Sequence, residues 1–308
     1  MRILKIFLTA LGCLLLPLLA AGTTEAAGQW RLDGNADAVL PRSFRSCREV
    51  ISVEDEGAAE ADLTDLCISG SGQPSAAAMP LLYQRLKAEA SSGAVLYMVD
   101  LRQESHGYAN GRSVSWYMLH NWANQGLTAE AVEADEQKRL ALLLGQPLTA
   151  VPLGKADTKT LTAYAASVHE VKTEREAAEE AGFRYVRFAA ADQSWPAPAV
   201  VDAFLEFYKN LPDGPVWLHF HCHAGHGRTT TFMILYDILR HPDLPLETIA
   251  ARQRRLGGSD ILAGSLADNW QAAYANDRAE KLRLFYAYVQ AERVDDFAVS
   301  WSDWLAAH

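Results

Sequence analysis

The residues best suited to chemistry lie in one short stretch, HCHAGHGRTT, at positions 221–230. It places Cys222 six positions before Arg228, with two glycines between them. An apolar run at 216–220 precedes the stretch and another at 232–239 follows it, which predicts a strand, a tight loop and the start of a helix. The backbone N–H groups of such a loop converge on an anion at the helix N-terminus. Because the same field stabilises a thiolate, the pattern predicts a cysteine nucleophile beneath a bound phosphate.

Each residue of the loop has an expected part in phosphate transfer. The planar guanidinium of Arg228 suits two equatorial phosphate oxygens. Thr229 can donate its hydroxyl to the sulfur and help it leave in a second step. His221 is expected to support the loop by bonding to its backbone. The residues expected to surround the phosphate are His223, Ala224, Gly225, His226 and Gly227.

A simpler interpretation makes Cys222 a buried core residue and Arg228 a surface residue of the helix. For either residue alone that would be the better explanation, because a short motif needs its structural context. Here the cysteine, both glycines, the arginine and the hydroxyl after it occur together. The combination argues for a catalytic loop.

An alkoxide leaving group also needs a proton, and general acid catalysis contributes roughly 10²- to 10⁴-fold in rate. Asp192 is the candidate donor, because it closely follows the predicted strand 185–188 and stands beside Trp195 and Pro196, which would stiffen its loop. The same carboxylate could activate the water that hydrolyses the phosphocysteine. The alternative is a simple turn-forming aspartate. Since no histidine or carboxylate cluster has the spacing of a metal site, the sequence predicts neither a metal nor another cofactor.

The composition is that of an ordinary globular protein. Of the 308 residues, 49% are hydrophobic and 21% are charged, and the formal net charge is -10. Such a surface repels nucleic acid and other polyanions. No nucleic-acid partner is therefore expected, and any phosphate site must create its own positive field.

Residues 1–27 are predicted to be a signal peptide. Arg2 and Lys5 precede an apolar run at 6–21, and small residues lead to Ala27, which is the order of charge, apolar segment and cleavage site found in such leaders. The run is shorter than the roughly 20 residues of a membrane span. The pattern predicts a periplasmic or secreted protein with no stable membrane association after cleavage.

Export affects the interpretation of the cysteines. Cys47, Cys67 and Cys222 remain after cleavage, and in an oxidising compartment Cys47 and Cys67 could pair. The sequence leaves open whether their geometry allows it. A disulfide at Cys222 would abolish its chemistry, so Cys222 is expected to stay outside any such bridge.

Strands and helices alternate along the chain, which predicts an α/β domain over 28–308 with a largely parallel sheet. A buried strand at 95–99 ends in the charged cluster 100–107, and an open α/β sheet places its ligands at that end of its strands. The alternative is a solvated loop with internal salt bridges. Thr173 and Glu176 predict a capping box at the start of a helix. Helices are also expected at 76–90, 127–144, 198–211 and 277–291, and strand-like segments at 148–153 and 161–171.

Several motifs resemble one known family. HCHAGHGRTT resembles the signature of protein tyrosine phosphatases. Over nearly all of the chain after residue 27, the sequence is similar to the secreted bacterial cysteine phytases, which dephosphorylate inositol phosphates. The segments that carry this resemblance are PRSFR from 41, DLRQESHGY from 100, SWY from 115, NWAN from 121, DQSWP from 192, WLHFHC from 217, YVQ from 288 and the closing tryptophans.

The resemblance implies a protein-tyrosine-phosphatase-like central sheet flanked by helices. It also implies a small β-rich subdomain built from parts of about 46–72 and 147–172. In such a site Cys222 is the nucleophile, Arg228 the phosphate clamp and Asp192 the acid. The positions that match the family's pocket lining are Arg45 and Asp100.

Two departures from the family pattern bear on substrate binding. A histidine commonly follows the acid, where this chain has Gln193, which is expected to contact the substrate. Lysines gather before the last helix of the family, where 258–276 contains neither lysine nor arginine. His223 and His226 occupy loop positions that carry lysines in tensin-type phosphoinositide phosphatases. Because histidine titrates at about pH 6.5, the pair is expected to favour polyphosphorylated inositols at mildly acidic pH.

Three functions are consistent with these patterns. The first is an exported, metal-independent phosphatase that acts on inositol phosphates or another phosphomonoester through a phosphocysteine. The second is a protein tyrosine or dual-specificity phosphatase, which would depend less on Asp192 because a phenol leaves more easily than an alcohol. The third is a noncatalytic phosphate-binding module, against which the complete set of site residues argues. The sequence leaves the oligomeric state open.

Overall fold

The computed structural model describes residues 28–49 and 63–308, so the predicted signal peptide at 1–27 lies outside it. The strands of the described part are β1 (Gln29–Gly34), β2 (Arg45–Ser46), β3 (Ile68–Gly72), β4 (Val95–Arg102), β5 (His106–Ala109), β6 (Arg112–Tyr117), β7 (Pro147–Ala150), β8 (Tyr164–Ser167), β9 (Val171–Lys172), β10 (Arg184–Ala190) and β11 (Val216–Cys222). The helices are α1 (Met79–Glu89), α2 (Ala129–Leu143), α3 (Asp157–Thr160), α4 (Glu174–Ala181), α5 (Pro198–Lys209), α6 (Gly227–Arg240), α7 (Leu246–Arg255), α8 (Trp270–Glu292) and α9 (Trp301–Ala307).

The central sheet has the strand order β10-β4-β11-β3-β2. The first four strands are parallel, and the two-residue β2 is antiparallel to β3. The predicted α/β fold with a largely parallel sheet is confirmed. The middle strand β11 pairs on both sides, and its residues 217–222 are buried. Hydrogen bonds from two neighbours therefore fix the strand that ends at Cys222.

A second sheet is antiparallel, with the order β1-β6-β5-β9. The hairpin β7-β8 adjoins its edge, where Leu32 N donates to Val151 O at 3.0 Å. The β-rich part has a small core of its own, which includes buried Leu32, Val114 and Leu148. The opposite face of the sheet is buried as well, since Arg31 and Asp33, which flank Leu32 along β1, are also shielded from solvent.

The origin of the β-rich part corrects one expectation. Residues 147–172 contribute β7, β8 and β9, but the described part of 46–72 does not, because β3 pairs in parallel with β11 in the central sheet. The sequence of β3 is ISGSG, and a Cβ on Gly70 would lie 2.6 Å from Met233 Sδ of α6. Small residues let this helix lie directly on the strand. The strand-like segment 161–171 is also interrupted, since only β8 and the start of β9 are extended.

Capping side chains set where the helices begin. Thr173 and Glu176 form the predicted box, with Thr173 N donating to Glu176 Oε2 at 2.8 Å and Glu176 N donating to Thr173 Oγ1 at 3.2 Å. The last long helix begins at Trp270 and not near 277, because Asn269 accepts hydrogen bonds from the N–H groups of the first turn. An asparagine cap is a strong start for a helix. The extra two turns bring α8 to the functional site.

The longer helices lie in three places. α5 to α9 form one group over β10, β11 and β3, α1 and α4 pack together against β4 and β10, and α2 lies on β5, β9 and β10. Trp301 of α9 lies 5.6 Å from the ring of Tyr288 in α8. No helix in the described ranges is both long and apolar enough to span a bilayer.

Cys47 is a buried thiol, and no disulfide joins it to Cys67. Burial raises the pKa of the Cys47 thiol to about 11.

Candidate active site

The cysteine loop, residues 222–228, connects the end of β11 to the first turn of α6. Gly225 in this loop has φ +80°, and a Cβ there would lie 2.5 Å from backbone atoms of Ser71 and Gly72. Only glycine accepts both that conformation and that approach. The loop therefore sits at the N-terminus of α6, where free N–H groups and the helix dipole favour an anion.

Cys222 lies at the bottom of a cavity with a hydroxyl beside its sulfur. Thr229 Oγ1 donates to Cys222 Sγ at 3.2 Å, and Thr229 is fully buried. Cys222 is 3% exposed. A hydroxyl donor stabilises negative charge on sulfur, both before attack and when the sulfur leaves.

Arg228 is held in place by a carboxylate that the sequence analysis did not single out. Its two terminal nitrogens lie 2.8 and 3.1 Å from the two oxygens of Glu104, in a bidentate pair. Arg228 NH1 also donates to Ala190 O at 3.1 Å. Although burial lowers the pKa of Arg228, Asp192 and Glu104 raise it well above its usual range. The guanidinium is thus permanently charged and fixed in orientation.

Asp192 reaches the same site from the loop after β10. Its Oδ1 lies 3.4 Å from Arg228 Nε, and its Oδ2 accepts from Asn121 Nδ2 at 2.9 Å. Trp122 Nε1 donates to the backbone oxygen of Asp192 at 2.9 Å. The loop's own Gln193 has φ +64° and donates its N–H to Asp192 Oδ1 at 3.0 Å. The structure brings the predicted acid, nucleophile and arginine together.

Cys222 and Asp192 line a cavity of about 320 Å³, whereas Arg228 lies buried beside it. Loop residues Cys222, His223, Ala224, His226 and Gly227 form its floor and one side. The remaining wall comes from residues of the Asp192 loop, the segment after α7 and the start of α8, namely Asp192, Gln193, Ser259, Gln271, Ala275 and Arg278. Among the described residues, no side chain of this wall is aromatic and no apolar one is larger than alanine.

Arg278 is the main cavity residue that sequence reasoning missed. It lies two positions beyond the 258–276 segment that lacks basic residues. Its Nε is buried without a hydrogen-bond partner, and no carboxylate in the described part of the chain forms an ion pair with it. Burial lowers the pKa of Arg278, with Asp192 and Cys222 opposing that shift. Gln271, Ala275 and Arg278 have the spacing of residues on one helix face. Had the start of α8 been known, this spacing would have identified Arg278 as a cavity residue.

The loop histidines do not supply the expected charge at mildly acidic pH. Arg42 NH2 donates to His223 Nε2 at 2.9 Å, so that nitrogen accepts and the ring is neutral. Burial and the charge of Arg31 lower the pKa of His223 to about 4. Burial, Arg45 and Arg42 also lower the pKa of His226. Burial and the nearby arginines therefore argue against a cationic histidine pair at mildly acidic pH, although Asp33 and Asp157 each lie 3.4 Å from His223 Nε2.

Three further expectations are corrected by burial. Asp100 is fully buried, and its Oδ2 accepts from Tyr185 OH at 2.7 Å, so it lies beneath the loop and not in the pocket lining. Arg45 lies behind the loop, where its NH1 donates to Gly225 O at 2.7 Å. His221 makes no hydrogen bond to the loop backbone; its Nε2 lies 3.1 Å from Glu174 Oε1. Arg45 therefore supports the loop without contacting a ligand, whereas the expected hydrogen bond from His221 to the loop backbone is absent.

Beneath the loop lies a group of charges that we call the buried charge layer. Arg102 joins two of its carboxylates, because its NH1 lies 2.9 Å from Asp33 Oδ2 and its Nε lies 2.9 Å from Glu104 Oε1. Burial raises the pKa of Glu104, but Arg228 and Arg102 hold it well below its usual range. The members of the layer are Arg31, Asp33, Asp100, Arg102, Glu104, Glu136, Arg187 and Arg228.

Glu174 adjoins this layer, and within residues 28–49 and 63–308 it belongs to the one cluster whose donors approach each other as in a metal site. One ligand atom each from Asp100, Glu174 and His221 lies within 4.8 Å of the others. Burial and the charge of Asp100 raise the pKa of Glu174 well above its usual range, and His106 Nε2 lies 2.7 Å from its Oε2. A proton between Glu174 Oε2 and His106 Nε2 accounts for their 2.7 Å contact, while His221 makes no side-chain hydrogen bond. The cluster is fully buried and does not open into the cavity.

Comparisons with known proteins agree with this geometry. The sequence model of the PTP-like phytase family matches residues 99–240, and the description of that family reads "Inositol hexakisphosphate". A PTP-like phytase from Bdellovibrio bacteriovorus has a similar structure, with a TM-score of 0.70 and 30% identity, covering 91% of this chain and 95% of that one. The chain belongs to the PTP-like phytase family.

Two other relatives are longer than this phytase. A PTP-like myo-inositol phosphatase from Mitsuokella multacida, solved in complex with myo-inositol-(1,3,4,5)-tetrakisphosphate, has a TM-score of 0.81 and 36% identity, covering 90% of this chain and 49% of that one. The effector protein hopD2 of Pseudomonas syringae pv. tomato is 29% identical over 223 residues, which are 70% of this chain and 47% of that protein. The chain spans about half the length of these two relatives.

Proposed function

We propose that this phytase relative hydrolyses phosphate monoesters of myo-inositol through a phosphocysteine on Cys222. The observation that carries the proposal is the cavity wall, which combines a second, unpaired guanidinium with polar side chains. A phenyl ring would bury apolar surface against such a wall without an apolar partner. A polyol with several phosphates instead finds hydrogen bonds and a cation for a second phosphate.

In the first step Cys222 Sγ attacks phosphorus in line with the ester oxygen. The S–P bond forms as the P–O bond breaks, while Arg228 and the loop N–H groups hold the equatorial oxygens. Asp192 donates a proton to the departing alcohol oxygen. Because an inositol alkoxide is a poor leaving group, this proton is essential to the step.

In the second step water replaces the thiolate. The Asp192 carboxylate accepts a proton from water, the water oxygen bonds to phosphorus and the S–P bond breaks. The Thr229 hydroxyl, 3.2 Å from Sγ, donates to the sulfur as negative charge returns to it. Inorganic phosphate leaves, and Asp192 is again protonated for the next turnover.

The substrate class is tested by phosphate release from a panel of inositol phosphates and a phosphotyrosine peptide, with a chelator present. We expect kcat/KM at least about tenfold higher for inositol polyphosphates, which corresponds to about 1.4 kcal/mol from one added charged contact. The matched control is Cys222→Ser. Preference for the peptide would support the tyrosine phosphatase instead, and undiminished release by Cys222→Ser would exclude the cysteine mechanism.

We also propose that the enzyme is exported and acts in the periplasm or outside the cell. The support is the charge, apolar run and small residues of 1–27. Fractionation of cells that express the full chain tests it, with a chain that starts at 28 as the control. We expect activity outside the cytoplasm and a mature N-terminus at or near residue 27 for the full chain only. Equal cytoplasmic retention of both would contradict export.

A further inference from the structure

We propose that Asn121 is a positioning residue that holds the general acid for substrates with poor leaving groups. This inference rests on the proposed function, because it takes Asp192 as the proton donor. Asn121 is only 4% exposed and does not line the cavity, so it acts through Asp192 and not on the substrate.

The amide of Asn121 bridges two carboxylates with separate tasks. Its Nδ2 donates to Asp192 Oδ2 at 2.9 Å and to Glu104 Oε1 at 2.9 Å. Carboxylate oxygens of this kind accept, so the NH₂ end of the amide must face them, and both of its hydrogens are used. Glu104 is immobile, because its two oxygens also hold Arg228. Asn121 therefore fixes the acid relative to the arginine that holds the phosphate.

An amide is the group this position requires. Once Asp192 has given up its proton, it carries the same charge as nearby Glu104, and a neutral donor between them offsets that repulsion without adding charge. Aspartate at 121 has the same shape but offers oxygens where hydrogens are needed. The position thus favours asparagine for its two hydrogens and not for its size.

The backbone of this segment is held in an unfavourable conformation. His120 has φ +60° and Asn121 has φ +63°, and such a residue costs on the order of 1–3 kcal/mol unless its surroundings impose it. Here an aromatic cluster imposes it, since the His120 ring lies 3.8 Å from that of Trp270 and 4.9 Å from that of Trp122. Strain of this kind at a functional site indicates that the position of Asn121 matters.

The same cluster also holds the backbone of the acid loop. Trp122 Nε1 donates to Asp192 O at 2.9 Å. At the other side Gln271 Nε2 donates to Gln193 Oε1 at 2.6 Å, which connects the loop to α8. The side chain and backbone of Asp192 are therefore both anchored by residues 121 and 122, before any substrate binds. Preorganisation of this kind reduces the cost of reaching the transition state.

The test compares an inositol phosphate, whose alkoxide needs a proton, with nitrophenyl phosphate, whose leaving group departs without one. The main variant is Asn121→Gly, because glycine keeps the positive φ and removes only the amide. We expect kcat on the inositol phosphate to fall about 10- to 100-fold, part of the full contribution of a general acid. On nitrophenyl phosphate we expect a change of less than about threefold.

Three further variants separate the possible outcomes. Asp192→Asn should show the same selectivity with a larger loss; if it loses both activities equally, the acid assignment of the proposed function fails. If Asp192→Asn is selective but Asn121→Gly is not, only the inference about Asn121 is overturned. Trp122→Phe removes the second anchor with little change in packing and should be selective to a smaller degree. Asn124→Gly, in the same segment and also at a positive φ of +63° but bonded to Ser105, should show no selectivity.

Discussion

The charges beneath the cysteine loop and those around the cavity above it follow opposite rules. In the buried charge layer each guanidinium meets a carboxylate, as Arg187 meets Glu136 at 2.8 Å and Arg228 meets Glu104 at 2.8 Å. In the cavity Arg278 meets none. Paired charges fix the shape of the site, and the unpaired one is left to bind an anion. A chain with a net charge of -10 thus keeps a local site for phosphate.

The largest expected effect comes from opening the charge layer. Glu104→Ala leaves Arg228 and Arg102 buried without their shared partner, so the free energy of unfolding should fall by about 3–5 kcal/mol. Urea denaturation measures it. The matched control is Glu180→Ala, which breaks the exposed pair of Glu180 with Lys172 and should cost less than about 1 kcal/mol. Equal losses in the two variants would contradict the distinction between layer and surface.

The next effect concerns the cavity cation. Arg278→Ala should raise KM for inositol polyphosphates about 10- to 100-fold, since a charge-assisted hydrogen bond contributes about 1.5–3 kcal/mol. Stability and the rate on nitrophenyl phosphate should stay nearly unchanged, because Arg278 forms no ion pair with the residues that the structure describes and its Nε has no hydrogen-bond partner there. Arg278→Lys, which keeps the charge but not the fork, should lie between the two. A KM unaffected in Arg278→Ala would show that the second phosphate binds elsewhere.

A smaller effect tests the buried histidines. His219 is fully buried between Ser69 Oγ at 2.8 Å and Ser71 Oγ at 3.0 Å, and burial lowers its pKa well below the usual value. Below about pH 6.5 the His219 imidazole binds a proton in the unfolded chain but not in the folded one. The free energy of unfolding therefore falls as pH falls. His219→Gln should reduce the slope of unfolding free energy between about pH 6 and 5 by up to about 1.4 kcal/mol per pH unit. Parallel curves for the two proteins would refute it.

The smallest effect is expected in the loop itself. His223 accepts a hydrogen bond from Arg42, and its pKa is lowered to about 4. His223→Gln should therefore leave the shape of the pH–rate profile between about pH 5 and 7 unchanged on inositol phosphates. If turnover rises toward acidic pH in the wild type but not in the variant, His223 is a cation that helps to bind the substrate, which contradicts this prediction.

The sequence predicted the parts of the site that are contiguous in it. The strand, glycine turn and helix around Cys222 follow from a local pattern, and Asp192 follows from its place after a strand. Glu104 and Arg278 could not be assigned from local pattern, because the sheet order and the start of α8 bring them to the loop. Asp100 and Arg45 were placed wrongly for the same reason, since a motif match does not show which residues the fold buries. Asn269 was the local signal that would have extended α8 to the cavity.

The central claim is that Cys222 carries the phosphate during hydrolysis of inositol phosphates. The most direct measurement is rapid quenching of the wild-type enzyme during turnover of a phosphate-labelled inositol polyphosphate in the presence of chelator, followed by peptide mapping. The account predicts label on the peptide that contains Cys222, and none in Cys222→Ser. Phosphate release with no labelled Cys222 peptide, or label that persists in Cys222→Ser, would contradict it.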